Sequence, residues 1–121
     1  MKKIILVDDT EICRDVAQNV IEKVNKDFLC IVFSDPREVL KYLLEEDEVY
    51  AVVSDYEMPG LNGLQMAKKI IEELPEMKII VMSSHETEFL ETTAKKLGIE
   101  ENTVKFLCKT EILDLIDLLD D

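Results

Sequence analysis

Short apolar runs and longer amphipathic segments alternate along the whole chain. The runs are KIILV at 3–7, FLCIVF at 28–33, YAVVS at 50–54, KIIVM at 78–82 and TVKFL at 103–107. Most are rich in Val and Ile, and none alternates cleanly between apolar and polar positions. Runs of this kind predict strands covered on both faces, the pattern of a parallel sheet. Between the first two, Ile12, Val16, Ala17, Val20, Ile21 and Val24 recur at helical spacing and predict a helix with that stripe inward. The second helix opens with Asp35 as N-cap, Pro36 in the first turn and Glu38 placed for a capping-box contact.

A third helix is predicted over 62–74, ending before Pro75, and a fourth over 86–97, closed by Gly98 as a left-handed cap. The fifth covers 110–119 with Ile112, Leu115, Ile116 and Leu119 inward. Leu113 and Leu118 fall to either side of that stripe, as its edges or as flanks of a docking face. "DLLDD" places acids at the end of this helix, where its dipole disfavours them. Five strand–helix pairs in strict alternation predict one α/β domain over 1–121. It is a doubly wound parallel sheet with helices on both faces and right-handed crossovers.

Composition narrows the class. The chain has 121 residues, 47% of them hydrophobic, enough for a core without disulfides or metal staples. Acidic residues outnumber basic ones 27 to 14, for a net charge of −13. That balance argues against direct nucleic-acid or membrane binding and favours cationic partners or a cation-binding cleft. Cys13, Cys30 and Cys108 lie far apart inside apolar segments, with no CxxC pair and no histidine beside them. They read as reduced core cysteines of a cytoplasmic protein rather than a zinc site. The apolar run after Lys2-Lys3 is too short for a signal peptide, and no run reaches transmembrane length.

The chemistry collects at the strand ends. The first strand closes on Asp8-Asp9, the third on Asp55, the fourth on Ser83-Ser84 and the fifth on Lys109. In a parallel sheet these ends share one rim, where such sheets bind ligands. Any one of them alone reads as a helix cap or a solvated charge. Together, three crowded carboxylates repel, and a hard divalent cation with oxygen ligands would relieve them. A hydroxyl and an ammonium nearby suit a phosphoryl group.

"ILVDD", "SDYEMPGLNG", "IIVMSSHE" and "FLCKTEI" resemble, in order and spacing, the receiver domain of two-component response regulators. The resemblance covers essentially all of the chain. It implies a flavodoxin-like (βα)5 sheet of order 2-1-3-4-5. It also implies a phosphorylation-controlled signalling switch that accepts a phosphoryl group on Asp55 from a sensor histidine kinase or phosphotransfer protein. The implied cofactor is Mg²⁺, with Asp9 as direct ligand, Asp8 acting through water, and Asp55 and the Glu57 backbone carbonyl completing the set. Ser83 and Lys109 match the residues that meet the phosphoryl oxygens, and Ser83 with Phe106 the switch pair. Glu57 and His85 match positions flanking the water that hydrolyses the phospho-aspartate.

The implied output is a partner protein, or a second copy, docked on the fourth helix, fifth strand and fifth helix. No output domain is expected in this chain. No enzymatic activity is expected beyond promotion of its own phosphorylation and dephosphorylation. Two departures from the family pattern stand out. Lys109-Thr110 replaces a Lys-Pro pair whose bond is commonly cis, so Thr110 implies a trans bond, a strained cis bond, or a cap for the fifth helix. Ser84 stands where Ala is frequent, as a small filler, a phosphoryl contact or a cap. Two rival readings remain. Asp8-Asp9-Thr10 distantly resembles the D-x-D and Thr of haloacid-dehalogenase phosphohydrolases, and a degenerate receiver could bind partners without ever being phosphorylated.

Overall fold

A computed structural model describes residues 2–24, 27–46 and 48–120. The chain runs β1 (Lys2–Val7), α1 (Glu11–Val24), β2 (Phe28–Phe33), α2 (Pro36–Glu45), β3 (Val49–Asp55) and α3 (Gly63–Glu73). It continues through β4 (Lys78–Ser83), α4 (Thr87–Lys96), β5 (Val104–Cys108), a 3₁₀ turn (Lys109–Asp114) and α5 (Leu115–Asp120). All five strands are parallel, in the order β2-β1-β3-β4-β5. The chain moves outward from β1 to β2, then returns past β1 to β3. The carboxyl ends of β1 and β3 therefore flank the point where strand order reverses, the crevice in which open α/β sheets bind ligands.

The pleat divides the core in two. On one face Ile4, Leu6, Val53, Met82 and Leu107 pack with Ala17 and Ile21 of α1 and Leu115 and Leu119 of α5. On the other, Ile5, Val7, Val52, Val81 and Val104 pack with Val39, Leu64, Ile70 and Leu90 of α2, α3 and α4. Side chains two residues apart on a strand share a face. Asp8, Asp55 and Lys109 each lie two residues beyond Leu6, Val53 and Leu107, so the pleat directs all three toward the α1/α5 side. Ser83 and Phe106 each lie two residues beyond Val81 and Val104, in the row that faces α4.

Several sequence expectations change. Ile12 and Val16 are exposed rather than inward, because α1 turns Ala17 and Ile21 to the sheet and these two fall beside that line. Val20 is half-buried, and the burial of Val24 lies outside the described residues. Glu38 makes no capping-box contact. Asp35 caps α2 through the N–H of Arg37, and the Arg37 guanidinium then occupies its carboxylate. The capping box belongs instead to α3, between Asn62 and Gln65.

The strands are not all covered on both faces. Leu29 and Val32, on opposite faces of the edge strand β2, remain exposed. Cys30 is buried, whereas Cys13 and Cys108 are only half-buried. The fifth helix is not continuous over 110–119. Its first half is a 3₁₀ turn broken at Glu111, where φ is −112° and ψ is 35°, and regular helix begins at Leu115. Leu113 is 73% exposed, while Leu118 packs half-buried against the α1/α5 core.

The acids at the end of α5 find their compensation on the sheet. Lys78 Nζ and the Tyr50 hydroxyl both donate to the Leu119 carbonyl, at 3.0 and 2.6 Å. The ammonium groups of Lys2 and Lys78 lie over the Tyr50 ring, 4.5 and 4.8 Å from its centroid. Lys78 thus supplies the cation that the C-terminal end of a helix prefers and closes an orphan carbonyl. Lys78→Met is expected to cost about 1–2 kcal/mol, the scale of a charged hydrogen bond at a helix end. A lowered melting temperature with faster amide exchange in α5 would show it; unchanged exchange there would refute the clasp.

Candidate functional site

The site begins where β1 runs out. Asp8 is 1% exposed, which is rare for a carboxylate without partners. Its N–H donates to the Phe33 carbonyl at 3.2 Å, and its Oδ1 accepts from the Thr10 N–H at 2.9 Å. Its own carbonyl accepts from Arg14 Nη1 at 2.8 Å. Its Oδ2 is buried with no hydrogen-bond partner among the described residues. Asp9, next in the chain, is exposed. Asp55, buried at the end of β3, holds Lys109 Nζ at 3.0 Å through Oδ1. The same ammonium lies 3.7 Å from Asp8 Oδ2 and donates to Cys13 Sγ at 3.9 Å.

One oxygen each from Asp8, Asp9 and Asp55 fall within 4.8 Å of one another. Among the described residues one ammonium faces them, so the cluster keeps excess negative charge. Burial pushes the Asp55 carboxyl above the ordinary aspartate range. The hydrogen bond and charge of Lys109 pull the other way, and Asp8 adds to the rise. Burial likewise lowers Lys109, but the bond and charge of Asp55, then Asp8 and Cys13, outweigh it and leave the lysine above its usual value. An acid whose folded-state pKa is raised stabilises the fold below its unfolded pKa, and that contribution is lost as pH rises through the folded value. Ionisation of Asp55 therefore works against the fold. The orphaned Asp8 oxygen, the converging carboxylates and the raised Asp55 fit a hard cation with oxygen ligands.

The turn behind Asp55 is pinned at several points. Tyr56 N–H donates to the Met82 carbonyl at 2.7 Å, and Gly63 N–H to the Tyr56 carbonyl at 2.9 Å. Gly60 adopts φ +83°, which a side chain would strain. A Cβ on Gly63 would overlap the Asp55 carbonyl, so glycine there lets α3 start directly against the strand end that carries Asp55. Ser54 Oγ donates to that same carbonyl at 2.8 Å.

Two loops meet across the rim. His85 Nε2 lies 2.9 Å from Glu57 Oε1, and the imidazole packs on Phe89 at 4.8 Å between centroids. The His85 N–H donates to Ser83 Oγ at 3.0 Å. Phe106 is half-buried against the α4-side core and pairs in register with Val81, one step along the row from Ser83. Ser84 is exposed, and the α4 N-cap, Glu86, makes no side-chain capping bond. No peptide bond among the described residues is cis, so Lys109-Thr110 is trans, and Thr110 Oγ1 lies 3.2 Å from Cys108 Sγ rather than capping a helix.

The residues expected at the site thus come to one end of the sheet, with Phe106 one step back along its row. Asp8, Asp9, Asp55 and Lys109 form its centre, Glu57 and His85 its edge, and Ser83 and Phe106 its α4 side. Sequence reasoning missed Arg14, Cys13 and Gly63. Gly63 carried a signal, a second glycine closing the turn at the first position of a helix. Arg14 and Cys13 carried none beyond lying one to two helical turns past the acid pair.

Comparison with known proteins agrees with this geometry. Residues 4–117 match the response regulator receiver domain family model. The chain belongs to the response regulator receiver domain family. It is 32% identical to the two-component response regulators ARR21 and ARR13 of Arabidopsis thaliana over 82 and 83 residues. These matches take in 67% of this chain but only 13% and 14% of those relatives' lengths. A chemotaxis protein CheY homolog of Campylobacter jejuni is 27% identical over 105 residues, 85% of this chain and 80% of that protein. Among solved structures, a receiver domain protein from Clostridium thermocellum superposes with TM-score 0.82 at 22% identity, over 99% of this chain and 92% of that one.

Gly63→Ala is expected to destabilise the protein by roughly 1–3 kcal/mol, the usual cost of forcing atoms into a packed contact. Denaturant melts test this. A change below about 0.5 kcal/mol, the range of ordinary surface substitutions, would show that the turn yields freely.

Proposed function

We propose that this domain is a signalling switch set by phosphorylation of Asp55. The observation that carries the reading is the Lys109–Asp55 pair, 3.0 Å long, inside a cluster of three carboxylates with a buried Asp8 oxygen that accepts no hydrogen bond among the described residues. The donor is a phosphohistidine on a sensor histidine kinase or phosphotransfer protein. An Asp55 oxygen attacks phosphorus, the P–N bond breaks, and its electron pair leaves with the imidazole. Asp8, Asp9, Asp55 and the Glu57 carbonyl would hold Mg²⁺, which when bound would offset charge on the carboxylates and phosphoryl oxygens. Lys109 masks one Asp55 oxygen before transfer and pairs with the phosphoryl group after it.

Ser83 Oγ already accepts from the His85 N–H, which leaves its own proton to donate to a phosphoryl oxygen. That motion alters the space beside Phe106, which turns inward, giving the switch a discrete two-state element. The Glu57–His85 contact spans the path of hydrolytic water and tunes the lifetime of the phosphorylated form. The signal leaves through α4, β5 and α5 to a partner protein or a second copy. No helix among the described residues is long and apolar enough to cross a membrane. A cytoplasmic place of work belongs to this reading.

Incubation with acetyl phosphate and Mg²⁺ is expected to add one phosphoryl mass to the intact protein and none to Asp55→Asn. Equal labelling of the variant would overturn the assignment. Steady turnover of a small phosphoester would point to a haloacid-dehalogenase-type phosphohydrolase, and a wild type that never labels to a binding module outside phosphotransfer.

A further inference from the structure

Arg14 of α1 reaches the acid pair through the backbone, and among the described residues it forms no ion pair with either carboxylate. Its Nη1 donates to the backbone carbonyl of Asp8 at 2.8 Å. That carbonyl belongs to the peptide joining Asp8 to Asp9, so the bond fixes the plane from which both side chains depart. The remaining polar groups of Asp8 are anchored as well, the N–H by Phe33 and Oδ1 by Thr10. Only Oδ2 is left, buried, accepting no hydrogen bond among the described residues and 3.7 Å from Lys109 Nζ. Arg14 itself is half-buried on the second turn of α1, whose Arg14 N–H bonds the Thr10 carbonyl at 3.0 Å and so ties the helix start to the same loop.

We infer that Arg14 is a positioning residue for the cation site. It holds the Asp8–Asp9 peptide so that both carboxylates meet Asp55 at the distances a small, geometrically demanding cation requires. The inference rests on the Mg²⁺ site proposed above. Groups that orient metal ligands without touching the metal commonly govern affinity by 10–100-fold.

The sign of the effect separates positioning from plain electrostatics. Removing a positive charge near a cation site, by Coulomb's law alone, strengthens cation binding. Removing an orienting group weakens it. Calorimetric titration of the unphosphorylated protein with Mg²⁺ reads the difference without any catalytic step. Arg14→Met is expected to bind Mg²⁺ at least roughly tenfold more weakly than wild type. Arg14→Lys, which keeps a donor able to reach the carbonyl, is expected to recover most of the loss. If Arg14→Met fails to fold, Arg14→Gln against Arg14→Lys carries the same comparison, with circular dichroism confirming the fold. Equal or tighter Mg²⁺ binding by the neutral variants would overturn the positioning role while leaving the site itself standing. A wild-type chain that takes up no Mg²⁺ would overturn both.

Discussion

Three carboxylates meet at the end of this sheet, and among the described residues one ammonium reaches them. Lys109 bonds Asp55 closely and lies near Asp8, but a single positive charge cannot balance the group. The residue of uncompensated charge is what the rest of the architecture sustains. Burial of Asp8 and Asp55 raises the cost of that charge, because desolvation penalises an ion far more than a neutral group. A fold built only for stability would replace such a cluster with apolar side chains, which are often the more stable choice at buried ionic positions. Its survival here fits a site whose charge is completed from outside.

The scaffold makes the arrangement tolerable by rigidity elsewhere. Asp8 is fixed through its N–H, its carbonyl and one carboxylate oxygen, and Asp55 through the Tyr56–Met82 and Gly63–Tyr56 bonds that pin the turn behind it. At the opposite end of the sheet, Tyr50 and Lys78 clasp the last turn of α5. The two faces carry different duties. The α1/α5 side presents the acids and the lysine, while Ser83 and Phe106 lie in the row that packs toward α4. In the proposed switch, chemistry on one face is read out on the other through a row of packed residues in β4 and β5.

Much of this was legible in the chain. Apolar runs of strand length between helical stripes specified the parallel sheet, and parallel strands necessarily bring Asp8, Asp55, Ser83 and Lys109 to one rim. What escaped was set by contacts between elements. Ile12 and Val16 share the helical period of Ala17 and Ile21, and only docking on the sheet decides which side of that wide stripe is covered. The Asp35 cap looked complete with Glu38, but Arg37 lies closer and offers a bidentate partner. The 3₁₀ start of the fifth helix follows from a strand that must deliver Lys109 to the site before the chain can turn, a constraint invisible to periodicity. Arg14 gave no sign because its partner is a backbone carbonyl, which every residue possesses.

The central claim is that the surroundings of Asp55 work against its charge until a cation joins it. The carboxyl carbon shift of Asp55, followed by NMR across pH with and without Mg²⁺, measures this directly. Without divalent cation the resonance should titrate above the ordinary aspartate value of about 3.9, and Mg²⁺ should move the midpoint clearly downward. A midpoint at or below that value in metal-free protein, unmoved by Mg²⁺, would contradict it.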